Sequence, residues 1–406
     1  MKYLDCRLMS KEKINKIVPK LRFPEFENSG EWEEKILRNA CRMQAGKFVS
    51  ASGINENISD DSFPCYGGNG LRGYTKSYTH SGKFSLIGRQ GALCGNVTLV
   101  QGKFHATEHA VVVTPEKGVD TDWLFYMLMQ LNLNQYATGQ AQPGLSVDNL
   151  EKVDIKIPKS EDEQQKIADC LSSSDELITA QSQKLKALKA HKKGLMQQLF
   201  PAEGETVPQF RFAEFRDSGE WEEDVLGIVS DVRDGTHDSP KFVYEGKPLL
   251  TSKNLLPSGT LNFQNVNLIS EDDYTQINKR SKVNIGDILF GMIGTIGNPV
   301  LIKHEGFAIK NVALIKEKKK LLNTYLIHFL NSDYINNQFN LFMKGNAQKF
   351  IALGVIRDIK LYIPKPKEQQ KIADCLSSLD ELNTAQSEKL EALKTHKKGL
   401  MQGLFP

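Results

Sequence analysis

The sequence predicts an α+β chain in which a duplicated helical scaffold carries two unlike mixed α/β domains. Three observations predict it. A 39-residue block is written twice, Glu163 to Pro201 and Glu368 to Pro406, with 33 positions identical. A second motif, VPxxRFxEFxxSGEWEE, opens each half from Val18 and from Val207. Between entry motif and block lie two divergent regions, residues 38–162 and 227–367, that read as short strands and turns. Repeats of this kind settle the architecture before any single element does.

The entry motifs match at 10 of 15 positions between Phe23–Leu37 and Phe212–Leu226. The divergent regions are distant relatives. IGRQGALCGN (87–96) lies on FGMIGTIGN (290–298) with one gap, and a GxAQ in each half stands 16 residues before the Pro that ends an alternating strand, Pro158 and Pro364. FSLIG, NVTLV and AVVVT in the first, and DILFGMI, PVLIK and VALIK in the second, are β-rich runs punctuated by Gly, Asn and Pro. One helix is expected over Thr121–Leu133 and its counterpart over Thr324–Phe339.

The repeated block is rich in Lys, Leu, Ala, Gln and Glu and free of internal Pro, so it predicts a long helix of roughly 55 Å at 1.5 Å per residue. Acids at residues 161–163 and Glu368, with Lys192, Lys193, Lys397 and Lys398 at the far end, suit the helix macrodipole. Its apolar rows recur every seven residues. Ile167, Leu171, Ile178, Leu185, Leu188, Leu195 and Leu199 form the seam of the first copy. Ile372, Leu376, Leu379, Leu390, Leu393, Leu400 and Leu404 form that of the second. With a globular segment between them, the two helices are expected to pair antiparallel within the chain; parallel or interchain pairing is the alternative.

Composition bounds the function loosely. At 406 residues the chain is long enough for two or three domains, and 40% hydrophobic with 25% charged residues is ordinary for globular proteins. A net charge of +3 permits nucleic-acid binding without arguing for it. The six cysteines have no CxxC spacing, which speaks against a metal site or a disulfide framework. No apolar run reaches the ~18 residues of a membrane span and the N-terminus lacks a signal-peptide core, so a cytoplasmic protein is expected.

Catalytic motifs are missing: there is no Walker A loop, no methyltransferase or nuclease signature and no HExxH. His105 and His109, read as one strand, would stand on one face about 14 Å apart at ~3.4 Å per residue, too far to share a metal. Exposed polar residues or nucleic-acid contacts are the two readings of this pair. The Gly- and Asn-rich loops display side chains suited to base edges: Arg72, Tyr74, Lys76, Arg89 and Gln90 in the first region, and Thr236, His237, Lys253, Asn254, Thr295, Lys310 and Asn311 in the second. Arg suits guanine, and Asn or Gln suits adenine, in the major groove. On composition alone, DNA contact and ordinary loops both remain open. The Lys run from Lys184 to Lys193 reads as a solvated helix face; Glu388 and Glu391 interrupt its counterpart.

Together, EQQKIADCLSSLDE, KLxALKxHKKGLMQxLFP, FPCYGGNG, IGRQGALCGN and GDILFGMIGTIGN resemble the specificity subunits of type I restriction–modification systems. The resemblance covers Val18 to Pro406. It implies an N-terminal extension (1–17), target-recognition domain 1 (18–160), a conserved spacer helix (161–201), target-recognition domain 2 (202–366) and a second spacer helix (367–406). It further implies a non-catalytic subunit that reads a bipartite, asymmetric DNA target, with the helix pair as a ruler. The expected partners are duplex DNA, two adenine-N6 methyltransferase subunits and restriction subunits. No cofactor is expected in this chain; S-adenosylmethionine, ATP and Mg2+ would belong to those partners.

Overall fold

The computed structural model describes residues 17–91, 93–139, 143–343 and 350–406. The N-terminal extension to residue 16 and the GxAQ stretches, apart from Gly139, lie outside the described residues. The strands of the first half are β1 (Glu33–Ile36), β2 (Cys41–Ala45), β3 (Phe63–Gly67), β4 (Gly70–Thr75), β5 (His80–Gly88), β6 (Val97–Ala106), β7 (Ala110–Pro115) and β8 (Asp154–Ile157). Its helices are α1 (Thr121–Gln130), α2 (Val147–Leu150) and the long α3 (Glu161–Leu199). The second half has β9 (Glu222–Val225), α4 (Leu226–Val229), β10 (Asp231–Asp234), β11 (Phe242–Val243), β12 (Lys247–Leu250), β13 (Asn267–Ile269) and α5 (Glu271–Ser281). It continues through β14 (Ile288–Gly291), β15 (Gly297–Leu301), β16 (Ala308–Ile309), β17 (Val312–Lys316), α6 (Asn323–Leu330), α7 (Asp333–Met343), α8 (Leu353–Arg357), β18 (Lys360–Ile363) and α9 (Pro366–Leu404).

Contacts divide the chain into two compact units, residues 1–182 with 388–406, and residues 183–387. Each unit therefore holds one globular segment, the first part of one long helix and the last part of the other. In the first unit the six-stranded sheet runs β2-β7-β5-β6-β3-β4, with β3 and β6 parallel and the other pairs antiparallel. In the second, β10-β17-β14-β15 and β16-β12-β13-β11 follow the same order, again with one parallel pair, β12 with β16. The difference has a simple cause. β6 is one ten-residue strand, whereas its counterpart breaks into β15 and β16 and splits the sheet.

Within the first unit, Lys397 Nζ donates to both Asp175 carboxylate oxygens at 2.6 and 2.7 Å, and Ile167 and Leu171 share one core with Leu400, Leu404 and Phe405. Within the second, Lys192 donates to Asp380 at 2.5 Å, and Ile372 and Leu376 share a core with Leu195, Leu199 and Phe200. Advancing along one helix means receding along the other, so α3 and α9 run antiparallel. Of the other seam positions, Leu185 and Leu390 are buried, while Ile178, Leu188, Leu379 and Leu393 are half-buried. Lys192 and Lys397 occupy seam rows because each reaches an Asp of the facing helix.

The acids at the helix N-termini do more than complement a dipole. Glu163 is buried and takes a bidentate bond from Arg22, both contacts 2.8 Å, and a bond from Trp32 Nε1 at 3.1 Å. Glu368 takes the same fork from Arg211 at 2.7 Å. Each Gln that follows clamps its own globular segment. Gln164 accepts from the Asp120 N–H and donates to the carbonyls of Gly118 and Pro158. Gln369 accepts from Leu322 N–H and donates to those of Lys320 and Pro364.

Two expectations on local structure are corrected. The helix expected to run to Leu133 ends at Gln130, and Asn132 in the left-handed region turns the chain into a 3-10 turn over Leu133–Tyr136. The helix expected over Thr324–Phe339 is two, because Ser332 caps α7 through its hydroxyl and backbone carbonyl. No helix of the described residues is long and apolar enough to cross a membrane.

Candidate nucleic-acid interface

In the first unit three chain segments converge at one end of the large sheet. They are the β3–β4 turn, the loop after β5, and the turn joining β6 to β7. The convergence depends on glycine. A Cβ on Gly88 would lie 2.0 Å from the Gly68 carbonyl oxygen, and one on Gly68 would lie 3.0 Å from that of His109. The backbones lock together through Thr107 N–H to Tyr66 O and Arg89 N–H to His109 O, at 2.9 and 3.0 Å. Between them opens a cleft of about 440 Å3, lined by Gly67–Arg72, Gln90, Gly91 and His109.

Of the residues expected here, Arg72, Gln90 and His109 meet at this cleft. Arg72 and Gln90 are exposed, and His109 is half-buried beside Glu108, 3.3 Å from its carboxylate. Tyr74 is half-buried within β4, its backbone paired with Asn55, and Lys76 is exposed just past the strand's far end. Arg89 is half-buried, with its backbone carbonyl taken by Leu145 N–H.

His105 is a correction. It is 6% exposed and its Nε2 lies 3.1 Å from the Lys47 carbonyl, so it serves the core and presents nothing to a ligand. Nor do His105 and His109 share a strand face, because β6 ends at Ala106 and residues 107–109 turn into β7.

The second unit places a polar cluster at the topologically equivalent turn. His237 is exposed, with Nε2 2.7 Å from Asp234 and Nδ1 2.7 Å from Asn311 Oδ1. Those two oxygens, Asn311 first, raise the His237 pKa and favour the imidazolium. Asp234 also accepts from Arg280. Asn311 sits at φ +53°, and Lys310 reaches Ser239 Oγ at 2.5 Å. Thr236 is half-buried and bridges Lys310 through the backbone, Lys253 is exposed, and Thr295 is half-buried in the turn between β14 and β15.

Asn254 is a second correction. Its side chain closes a capping box with Thr251 and donates to the Asn262 carbonyl, so its amide is already consumed. Asp234 and Arg280 were missed in the sequence reading, as were the lining glycines Gly68 and Gly91. The glycine-rich spellings GGNG (67–70) and IGRQGALCGN (87–96) hinted at the latter.

Residues 29–190 and 242–395 match the type I restriction modification DNA specificity domain. The chain belongs to this family. Over 136 residues it is 48% identical to the EcoprrI specificity subunit of Escherichia coli, a match spanning 33% of this chain and 34% of that one. Over 337 residues it is 25% identical to the MjaVIII specificity subunit of Methanocaldococcus jannaschii, covering 79% and 75% of the two chains. In fold it is similar to the S subunit of a type I restriction–modification system from M. genitalium, with a TM-score of 0.68 at 16% identity over 96% of this chain and 99% of that one. A second type I system chain superposes with a TM-score of 0.55 at 14% identity. The E. coli similarity is thus high but local, whereas the fold similarity spans the chain. Among the described residues no group of three or more His, Cys, Asp or Glu could hold a metal ion.

Proposed function

We propose that this member of the specificity family is the sequence-reading subunit of a type I restriction–modification complex. It is non-catalytic: each globular segment reads one half of a bipartite, asymmetric DNA target, and the antiparallel helices act as a ruler for the unread spacer. The observation that carries this reading is the contrast between the two segments. They keep one strand order but present unlike side chains around the equivalent β6–β7 and β16–β17 turns, Arg72, Gln90 and His109 in one and His237, Asn311 and Lys310 in the other. Like frames with unlike readers suit two different half-sites.

Partner docking is supported by an identical surface stripe, of which Lys166 and Lys371 also pair with Glu25 and Glu214 and Cys170 packs on the core. Lys166, Cys170, Ser173, Leu177 and Ala180 form an exposed or half-buried stripe on α3, and Lys371, Cys375, Ser378, Leu382 and Ala385 repeat it on α9 without a change. Identity at surface positions fits two copies of one partner, here two adenine-N6 methyltransferase subunits, with restriction subunits in the larger complex. S-adenosylmethionine, ATP and Mg2+ would be bound by those partners. The test is methylation mapping of the reconstituted methyltransferase complex on genomic DNA. A bipartite N6-methyladenine motif with unequal halves is expected. Methylation at a continuous palindrome would overturn the reading.

A further inference from the structure

We propose that the β3–β4 hairpin enters the major groove of duplex DNA, with Arg72 reading a guanine and Gln90 an adenine of the half-site assigned to the first unit. This rests on the DNA-specificity reading above and adds to it which side chains discriminate.

The element has the right form. β4 is the edge strand of its sheet, and β3 joins β6 only at Cys65 and Tyr66, so the β3–β4 hairpin forms the two-stranded margin of the sheet. A B-DNA major groove, roughly 12 Å wide, admits a two-stranded ribbon. The hairpin tip is rich in glycine around the exposed Asn69. Gly67, Gly68, Gly70 and Gly91 line the cleft, and Gly70 and Gly91 both sit at φ +83°, where other residues are strained. Between the side chains of Asn69, Leu71 and Arg72 the lining is glycine backbone, which a base edge can approach closely.

The two readers combine a fixed backbone with an uncommitted side chain. Gln90 is held by an antiparallel bridge to Gly144, and Gly91 N–H donates to the Pro143 carbonyl at 3.0 Å. Arg72 is the bulged residue of β4, held between the paired Leu71 and Gly73. The charge of Arg72 is felt by the buried Cys65 thiol, but among the described residues neither side chain makes a hydrogen bond or an ion pair. That is unlike Arg22, spent on Glu163, or Lys83, spent on Asp122. A placed donor fork and a placed amide with no hydrogen-bond partner among the described residues suit bidentate recognition, guanidinium to guanine O6 and N7, amide to adenine N6 and N7. Glu108 argues for bases over phosphates. Its carboxylate stands 3.3 Å from His109 Nε2, next to the cleft lining, and disfavours a phosphate there while leaving a groove edge unopposed.

The test uses the full chain in complex with its methyltransferase partner, methylating a duplex library randomised across both half-sites. Arg72→Ala and Gln90→Ala should each lose discrimination, roughly 10- to 100-fold, at one position of one half-site. The other half-site and the spacer should not change. Arg72→Lys keeps the charge but not the fork, and should relax the same position while holding affinity. Unchanged stringency at every position in both alanine variants would overturn the proposal. So would a uniform loss of affinity with a shallower salt dependence, the signature of a phosphate contact. A wild-type complex with no bipartite motif would instead overturn the function on which the proposal rests.

Discussion

The buried fork between Arg22 and Glu163 makes a quantitative prediction about what fastens the first globular segment to its helix. Both side chains are almost fully enclosed, 7% and 2% exposed, and Trp32 donates to the same carboxylate. Replacing Arg22 with Met leaves a buried carboxylate with one neutral donor. Stranding one partner of a buried pair costs about 3–5 kcal/mol, whereas an exposed pair costs about 0–1. The lost bond from Arg22 to the exposed Gly30 carbonyl adds little. For a unit of this size, 4 kcal/mol lowers the Tm by roughly 8–16 °C. Arg22→Met/Glu163→Leu removes both charges and should recover much of the loss. Trp32 Nε1 would then be unpaired, as Trp221 Nε1 already is in the second unit. Urea unfolding followed by tryptophan fluorescence in a Trp221→Phe background reports on Trp32 and Trp123, both in the first unit. A single-variant cost below about 1 kcal/mol, or a double variant worse than the sum of the singles, would refute the reasoning.

Two further outcomes follow from the same geometry. His328 is buried, faces Lys192 and Asp380, and donates to or accepts from Ser377 Oγ; burial first, then Lys192, lowers its pKa to about 4, with Asp380 opposing. The unfolded chain, with histidine near 6.5, then binds more protons between pH 4 and 6.5. The second unit therefore loses stability as pH falls through that window, by about 3 kcal/mol in total, and His328→Asn should remove that part of the slope in urea titrations at pH 4.5 and 7. Gly88→Ala forces a Cβ against the Gly68 carbonyl, so it should destabilise the first unit by about 1–3 kcal/mol and relax only its half-site, read by unfolding and by methylation mapping.

How much of this was legible in the sequence depends on how local each cause is. The long helices and their seam followed from a heptad pattern written twice, which needs no knowledge of distant contacts, and their antiparallel course was expected from the globular segment between them. Glu163 looked like a helix-capping charge because its partner, Arg22, lies 141 residues away. The parallel pairing of β3 with β6, which brings Gly68 beside Gly88 and His109, was hidden for the same reason: a short apolar run does not name its neighbour. Asn254 was legible in principle, since Thr251 three residues before it spells a capping box. His105 was misread through the assumption that one strand spans residues 105–109. Residues 104–107 are all buried instead of alternating, and a turn at 107–109 ends the strand.

The central claim is that the paired helices set the distance between two independently read half-sites. It is tested most directly by inserting one heptad into each helix after Ser182 and Ser387, equivalent positions of the repeat where the two compact units divide. Each helix grows by about 10 Å while the seam keeps its phase. Methylation sequencing of the variant complex should return both half-sites unchanged, separated by a longer spacer. Altered half-sites with an unchanged spacer would contradict the account.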